Sequence, residues 1–246
     1  MQNKELPKVK VETTKTAVAA GEKENLVQKI QNIVDENSKI IIGISIGLIV
    51  VVIAFFVIKG RIDKTNEENR QMASVAVARI LPYLQANDYQ KALYGDPTKR
   101  IRNQKVIGLI EIIKEYGGTK QAEYASLYAG SCFLSLNKNK EALEYFDKAL
   151  GSSSKVIKEG AAGGLAVCYE NLGNYRDAAD YYEKASKYSL TPGMKSKYHF
   201  FEALCREKTG EKDIAEKLYR EIIYDNQSEY VGPAKSGLIR LGTIIE

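Results

Sequence analysis

The longest apolar stretch of the chain runs from Ile40 to Ile58, between Lys39 and Lys59. Its 19 residues carry no charge. A helix rises about 1.5 Å per residue, so the run would extend about 28 Å, close to the roughly 30 Å hydrocarbon core of a bilayer. A cleaved signal peptide fits less well, because 39 residues precede the run and no small-residue cleavage site follows it. The pattern predicts one transmembrane helix over residues 40–59.

The residues around this run do not determine its orientation. Lysine and arginine are about equally frequent on its two sides, so the positive charge that usually marks the cytoplasmic side is not decisive. Inside the run, Gly43 and Gly47 are four residues apart, a spacing that lets two helices approach closely in lipid. They predict a helix contact in the membrane, although glycine is also simply common in membrane helices.

The 39 residues before the run are expected to form a tail with two parts. The first 20 or so show no repeating apolar face and are expected to be disordered. Between Glu24 and Asn37, the apolar residues Leu26, Ile30, Ile33 and Val34 recur at helical spacing. This pattern predicts a short amphipathic helix on the membrane surface, with a frayed extension of the transmembrane helix as the alternative.

The rest of the chain contains an internal repeat. Segments that begin at Ala129, Leu165 and Glu202 align with offsets of 36 and 37 residues. The third segment fits least well, because Arg206 and Thr209 replace apolar residues. The equivalent positions hold Cys132, Cys168 and Cys205; Asn137, Gly173 and Gly210; Ala142, Ala178 and Ala215; and Phe146, Tyr182 and Tyr219.

Each repeat unit is predicted to be two helices joined by a tight turn. Gly173 and Gly210 suit the left-handed residue that ends a helix, and Asn137 is the next-best choice for that position. One such hairpin cannot bury its own apolar face, so the units must stack. These residues and spacings are typical of the tetratricopeptide repeat. We therefore expect an all-α chain, with a transmembrane helix followed by a tetratricopeptide-type solenoid of helical hairpins over residues 60–246.

The pattern weakens upstream of these units. Residues 87–93 (NDYQKAL) resemble the turn and second helix of a further unit, preceded by a helix that Pro82 would kink. A helix is also predicted from about Lys99 to Tyr116, because Val106, Leu109, Ile110 and Ile113 would share one face. At the other end, residues 232–245 predict a helix that closes the stack.

Composition and charge exclude several classes of function. A net charge of +5, from 36 Lys and Arg against 31 Asp and Glu, is too small for a nucleic-acid-binding surface. His199 is the one histidine, and nothing in the sequence pairs it with a nucleophile or with other metal ligands. We therefore expect no catalytic residues, no metal, no cofactor and no enzymatic activity.

The three repeated cysteines are expected to be small apolar core residues. Neighbouring helices in a stack lie about 8–10 Å apart, beyond the roughly 7 Å between Cα atoms that a disulfide allows. Free cysteine is among the most buried residue types. Three free thiols would nevertheless be unusual in an oxidising compartment.

What remains is a surface for binding other proteins. The first helices of stacked hairpins are expected to line the concave side, and outward-facing residues there mix apolar and charged side chains, as in grooves that bind peptides or helices. A plain solvated face is the alternative. The predicted protein-binding residues are Tyr124, Leu127, Ser131 and Ser135 in the first unit, Val167, Glu170 and Asn171 in the second, and Lys197, Phe200, Leu204, Glu207 and Lys208 in the third.

The order of these features resembles bacterial envelope proteins with a cytoplasmic tail, one span and an external tetratricopeptide domain. It is similar to the ancillary Sec translocon subunit family, over about residues 24–246. The likeness is carried by residues 92–96 (ALYGD), 115–120 (EYGGTK), 128–130 (YAG) and 173–185. The resemblance implies a bacterial inner-membrane protein with its N-terminus in the cytoplasm and its repeats in the periplasm.

The resemblance also implies partners: translocon subunits, and periplasmic chaperones or client chains. The function expected is a membrane-anchored scaffold that serves the secretion translocon as an accessory subunit. A cell-envelope or division organiser that binds envelope proteins through its repeats is the alternative. Whether copies of the chain also associate with one another is left open by the sequence.

Overall fold

The computed structural model describes residues 25–26, 28–32, 38–225 and 228–243, without the side chains at 38 and 40–46. The chain divides into two compact units, Met1–Lys64 and Thr65–Glu246. In the first unit, residues 25–26 and 28–32 are helical, and the exposed side chains of Leu26 and Ile30 lie on them. The predicted disordered tail, together with Ile33 and Val34, lies outside the described residues.

The first long helix, α1 (Ser38–Gln85), contains the apolar run. No helix among the described residues is long enough and apolar enough to cross a membrane. The predicted span is therefore not shown, and seven of its side chains, at 40–46, lie outside the described residues. Gly43 is one of these, whereas Gly47 is described and has nothing within 4 Å of where a Cβ would be.

The second unit continues from the end of α1 through short helices and a hairpin into paired helices. Its elements are α2 (Tyr89–Tyr94), β1 (Gly95–Ile101), β2 (Gln104–Ile107), α3 (Leu109–Glu115), α4 (Lys120–Ser135), α5 (Asn139–Leu150), α6 (Lys155–Asn171), α7 (Tyr175–Tyr188), α8 (Pro192–Thr209), α9 (Lys212–Asp225) and α10 (Val231–Leu241).

The β-hairpin corrects two sequence predictions, the all-α fold and a helix from about Lys99 to Tyr116. Strands β1 and β2 pair antiparallel, with Ile101 opposite Gln104. Arg102 and Asn103 between them have φ of 50° and 64°, the left-handed conformations of a two-residue hairpin turn. The apolar residues predicted to share one helical face lie on a helix only from Leu109 onward, where α3 begins. Val106 is buried too, but from a strand.

The predicted hairpin turns of the repeats are confirmed. Asn137, Gly173 and Gly210 all have positive φ, at 58°, 77° and 84°. Each follows the first helix of a unit (α4, α6 or α8) and precedes the second helix (α5, α7 or α9). Asn87 adopts the same conformation at φ 55°, which places an equivalent turn between α1 and α2.

Short polar side chains fix where several helices begin. Thr119 accepts a hydrogen bond from the Ala122 amide at 3.2 Å, and Asn174 does the same for Asp177 at 3.4 Å. Such N-caps satisfy amides that have no partner within the helix. They set the start of α4 and α7, and thereby the register of the residues that each helix buries.

The core lies between successive units, where one aromatic ring from each second helix enters the next hairpin. Phe146 is buried between Gly130 and Gly164, and a Cβ on Gly164 would lie 2.4 Å from the Phe146 ring. Tyr182 stacks on Phe201 at 5.6 Å between ring centroids. The rings thus link the units into one stack, as the repeat predicts.

The cysteines occupy the expected core positions. Cys132, Cys168 and Cys205 are all buried and free. Burial raises the pKa of the Cys132 and Cys168 thiols to about 11 and that of Cys205 to about 12. They are therefore neutral apolar side chains at ordinary pH.

Candidate protein-binding surface

The sequence-predicted binding residues all lie on the first helices α4, α6 and α8, and none is buried. They occupy repeated positions relative to the buried cysteine of each unit. Ser131, Val167 and Leu204 come one residue before that cysteine, and Ser135, Asn171 and Lys208 come three residues after it. Because α4 contacts α6 directly, and Lys208 of α8 lies beside Glu170 of α6, these positions form rows that run from unit to unit.

The residues nearest the turns are engaged in contacts within the stack. Asn171 donates a hydrogen bond to Asn139 of the preceding unit at 3.1 Å. The ammonium of Lys208 lies 3.9 Å from the Glu170 carboxylate and 4.0 Å above the centre of the Tyr175 ring. These side chains connect neighbouring units, so their first role is to fix the relative position of the hairpins.

Glu207 is held even more firmly. Its two carboxylate oxygens accept hydrogen bonds from Arg240 at 2.7 and 3.0 Å, and it also accepts one from the Tyr219 hydroxyl. Burial opposes the charge, but the hydrogen bonds from Arg240 and Tyr219 lower the pKa of Glu207 below its ordinary value. Glu207 thereby ties α8 to the closing helix α10 and is not free for a partner.

Three of the predicted apolar residues also pack within the fold, and one of them is Val167, which packs against the core around Ala166 and Ala178. Leu127 contacts the position of Gly160, where a Cβ would lie 3.2 Å from a Leu127 methyl group. Phe200 packs with Tyr230 at 5.3 Å and with Tyr219 at 6.1 Å between ring centroids. All three are half-buried, so only part of each side chain is available at the surface.

Val167, which is half-buried, and the five predicted residues not yet described form what we call the first-helix face. It mixes hydroxyl, aliphatic, aromatic and ammonium groups. Such a face can bind an extended or helical segment through several weak contacts. Its residues are Tyr124, Ser131, Ser135, Val167, Lys197 and Leu204.

A second cluster lies elsewhere on α8 and was not predicted from the sequence. His199, Glu202 and Arg206 point toward α7 and α9, and Glu202 and Arg206 are buried. Arg206 pairs with Asp180 at 2.7 Å and with Glu211 at 3.1 Å. The misfit of Glu202 and Arg206 to the repeat was the sequence signal that could have indicated this cluster.

The described residues hold no group of three or more His, Cys, Asp or Glu side chains placed to bind a metal ion.

Comparison with known proteins identifies the repeats. Residues 129–155 and 161–192 match models of the tetratricopeptide repeat. Neither match extends past residue 192 into the third unit, where Glu202 and Arg206 depart from the pattern. The two matches also give no support to the resemblance to the ancillary Sec translocon subunit family. No protein of curated function matches the chain. The chain thus contains tetratricopeptide repeats in these two segments, and such repeats support a role in protein–protein interaction.

Proposed function

We propose that this protein is a membrane-anchored interaction scaffold, not an enzyme, that serves the bacterial secretion translocon as an accessory subunit. In this role the first-helix face binds a translocon subunit, a periplasmic chaperone or an emerging client chain. The observation that carries the scaffold role is the stack of tetratricopeptide units with a partly exposed, chemically mixed face on α4, α6 and α8.

The support for the anchor is the composition of the run from Ile40 to Ile58. The described large apolar side chains from Leu48 to Ile58 are each 46–65% exposed on α1. A helix that is apolar on every side is not stable in water, and lipid is the environment that would cover it. The anchor can be tested by replacing Val51 and Ile53 with lysine. If these substitutions leave the full chain in the membrane pellet after alkaline extraction, the anchor is wrong.

The support for the translocon and for the orientation is the resemblance carried by residues 92–96 and 115–120. On this proposal the N-terminus is cytoplasmic and the repeats are periplasmic. Alkaline phosphatase fused after Glu246 is then active, because that enzyme needs its disulfides. An inactive fusion, together with an active cytosolic reporter at the same site, would reverse the orientation.

The experiment that tests the function is site-specific photocrosslinking in intact cells. A photoreactive residue replaces Val167 or Leu204 on the first-helix face. Matched controls replace Lys148 and Lys184, which are exposed on the second helices α5 and α7. The proposal expects adducts with translocon subunits or periplasmic chaperones from the first pair only. Adducts with peptidoglycan-linked or division proteins instead would establish the envelope organiser.

A further inference from the structure

The third unit carries polar side chains where the first two units carry core residues. His199, Glu202 and Arg206 align with Ser126, Ala129 and Phe133 of the first unit and with Ala162, Leu165 and Tyr169 of the second. Glu202 stands at a position that is almost fully buried in the other two units, since Ala129 is 0% and Leu165 is 2% exposed. A carboxyl group at a core position is costly unless something compensates for its burial.

The same substitutions remove an aromatic stack. In the first unit Phe133 stacks on Tyr145 at 5.2 Å, and in the second Tyr169 stacks on Tyr181 at 5.3 Å. The third unit has Arg206 and Leu218 at these two positions. With the rings absent, a cavity of about 510 Å³ lies between α7, α8 and α9, and Glu202, Leu218 and Ile214 line it.

The charge on the wall of this cavity also changes. Lys148 and Lys184 lie over the tyrosine rings of the first two units, at 4.9 and 4.2 Å. The equivalent residue of the third unit is Glu221, which lines the cavity. A position that supplies a cation in two units thus supplies a carboxylate in the third.

Glu202 receives no hydrogen bond from any described residue. Its side chain is 5% exposed, and its nearest cation is the Arg206 Nε at 3.8 Å, too far for a hydrogen bond. The two terminal nitrogens of Arg206 are already occupied by Asp180 and Glu211. The ammonium of Lys187 is held by Glu183 at 2.6 Å. A buried carboxylate that lines a cavity and accepts no hydrogen bond is suited to a ligand that brings a donor.

We propose that this cavity is a binding site for a protonated primary amine, namely a lysine side chain of a partner polypeptide whose ammonium group reaches Glu202. Ile214 and Leu218 contact the aliphatic part of that side chain, and Glu221 lies beside its path. The site is separate from the first-helix face, so it stands whether or not the translocon role is correct.

The ionisation of Glu202 gives the site a pH signature. Burial, with Glu183 adding to it, raises the pKa of Glu202 to about 7 in the empty site. An ammonium ligand favours the ionised carboxylate, so binding releases a proton and strengthens as pH rises. With that pKa, binding is about tenfold tighter at pH 8 than at pH 6.

Other charged groups lie around Glu202 and can also affect how binding depends on pH. Asp180, Glu183 and Lys187 face it from α7, Lys195, His199 and Arg206 belong to α8, and Lys217 and Glu221 face it from α9. Burial lowers the pKa of His199. Protonation of His199 at low pH would repel an ammonium ligand, in the same direction as the Glu202 effect, so the Glu202 contribution must be isolated by substitution.

The test uses the full chain in a non-ionic detergent, with butylammonium as one probe and the end-blocked pentapeptide AAKAA as the other. Amide chemical shifts of α7, α8 and α9 are followed at pH 6 and pH 8. The proposal expects shifts at His199, Glu202 and Leu218, and affinity that is about tenfold higher at pH 8. Tighter binding of the peptide than of butylammonium identifies a polypeptide ligand, and equal binding identifies a free amine.

Three variants decide the outcome. Glu202→Gln keeps the shape of the side chain and should weaken binding at least tenfold and remove most of the pH dependence. Glu202→Leu restores the residue of the second unit, so it should fold well and not bind. Glu144→Gln changes an exposed carboxylate of the first unit and should bind like the wild type. Equal binding by the wild type and both Glu202 variants, or shifts confined to other helices, would overturn the proposal.

Discussion

Tyr182 donates a hydrogen bond of 2.9 Å to Glu170, from the second helix of its unit to the first. Tyr219 and Glu207 repeat the pair 37 residues later. In the first unit the same two positions hold Phe146 and Leu134, so both the donor hydroxyl and the acceptor carboxylate are absent. The two residues therefore change together between units, from an apolar pair to a hydrogen-bonded pair.

The first prediction follows from this exchange. Tyr182→Phe removes the donor and leaves the half-buried Glu170 with one fewer partner, so the free energy of unfolding should fall by about 1–2 kcal/mol. Adding Glu170→Leu recreates the pair of the first unit and should restore most of that loss. Chemical denaturation of the two single variants and the double variant measures the coupling. Additive losses would mean that the two residues do not act as a pair.

The second prediction concerns the turn at Gly173. Its φ of 77° is strained for a residue with a Cβ, although nothing lies within 4 Å of the place where that Cβ would be. Gly173→Val should therefore cost at least about 1 kcal/mol from backbone conformation alone. Gly173→Asn should cost less, because Asn137 already adopts φ 58° at the same position of the first unit. Equal losses for the two variants in thermal unfolding would contradict this account.

The third prediction concerns the repeated thiols. Because Cys132, Cys168 and Cys205 are buried with raised pKa values, a thiol reagent at pH 8 should label none of them rapidly in the folded chain. All three should react once guanidinium unfolds the protein. Cys168→Ala leaves only a small cavity and should cost about 1 kcal/mol. Rapid labelling of one thiol under native conditions would show that its unit opens locally.

The turns and the repeated core were predictable because each depends on residues a few positions apart. The offset of 36 and 37 residues supplied Gly173, Gly210 and the aromatic ring of each unit directly from the sequence. The β-hairpin was not predictable in this way, since Val106 fits a helical face as well as a strand. Its turn also lacks the usual Asn-Gly pair and uses Arg102 and Asn103.

The binding surface was only partly predictable for a different reason. Helical spacing indicates which residues point outward, but not which of them are already engaged by a neighbour. Glu207 and Asn171 point outward and are held by Arg240 and Asn139. The cluster around Glu202 was missed because, in the sequence alone, residues that depart from the repeat indicate only a poorer match to it. The structure shows in addition that the departure leaves a cavity.

The fourth prediction separates packing from binding on α8. Phe200 packs against Tyr219 and Tyr230, so Phe200→Ala should lower the free energy of unfolding by about 3 kcal/mol and reduce partner capture only as far as the fold is lost. Leu204 is half-buried on the first-helix face and has a smaller side chain than Phe200, so Leu204→Ser should weaken capture with a smaller loss of stability. Crosslinking yield and thermal unfolding, measured on both variants, distinguish the two roles. If Phe200→Ala mainly lowered capture and Leu204→Ser mainly lowered stability, Phe200 would be the binding residue and Leu204 the packing residue.

The last prediction is the pH dependence of stability that Glu202 produces in the folded chain without any ligand. Burial raises its pKa from an ordinary 4.5 to about 7, so the folded state holds a proton that the unfolded state releases between these values. The resulting stabilisation is complete below pH 4.5 and is lost as pH rises through 7, and the full cost of ionising the buried carboxyl is about 3 kcal/mol.

Glu202→Leu cannot titrate and places the residue of the second unit at the same position. The difference in unfolding free energy between this variant and the wild type should therefore grow in favour of the variant by about 3 kcal/mol between pH 4.5 and pH 8. Urea denaturation at intervals of half a pH unit measures it, and Glu144→Gln, which replaces an exposed carboxylate of the first unit, is measured beside it as the control. A constant difference for Glu202→Leu would mean that the carboxyl ionises at its ordinary pKa, which requires a donor or water inside the cavity that Glu202 lines.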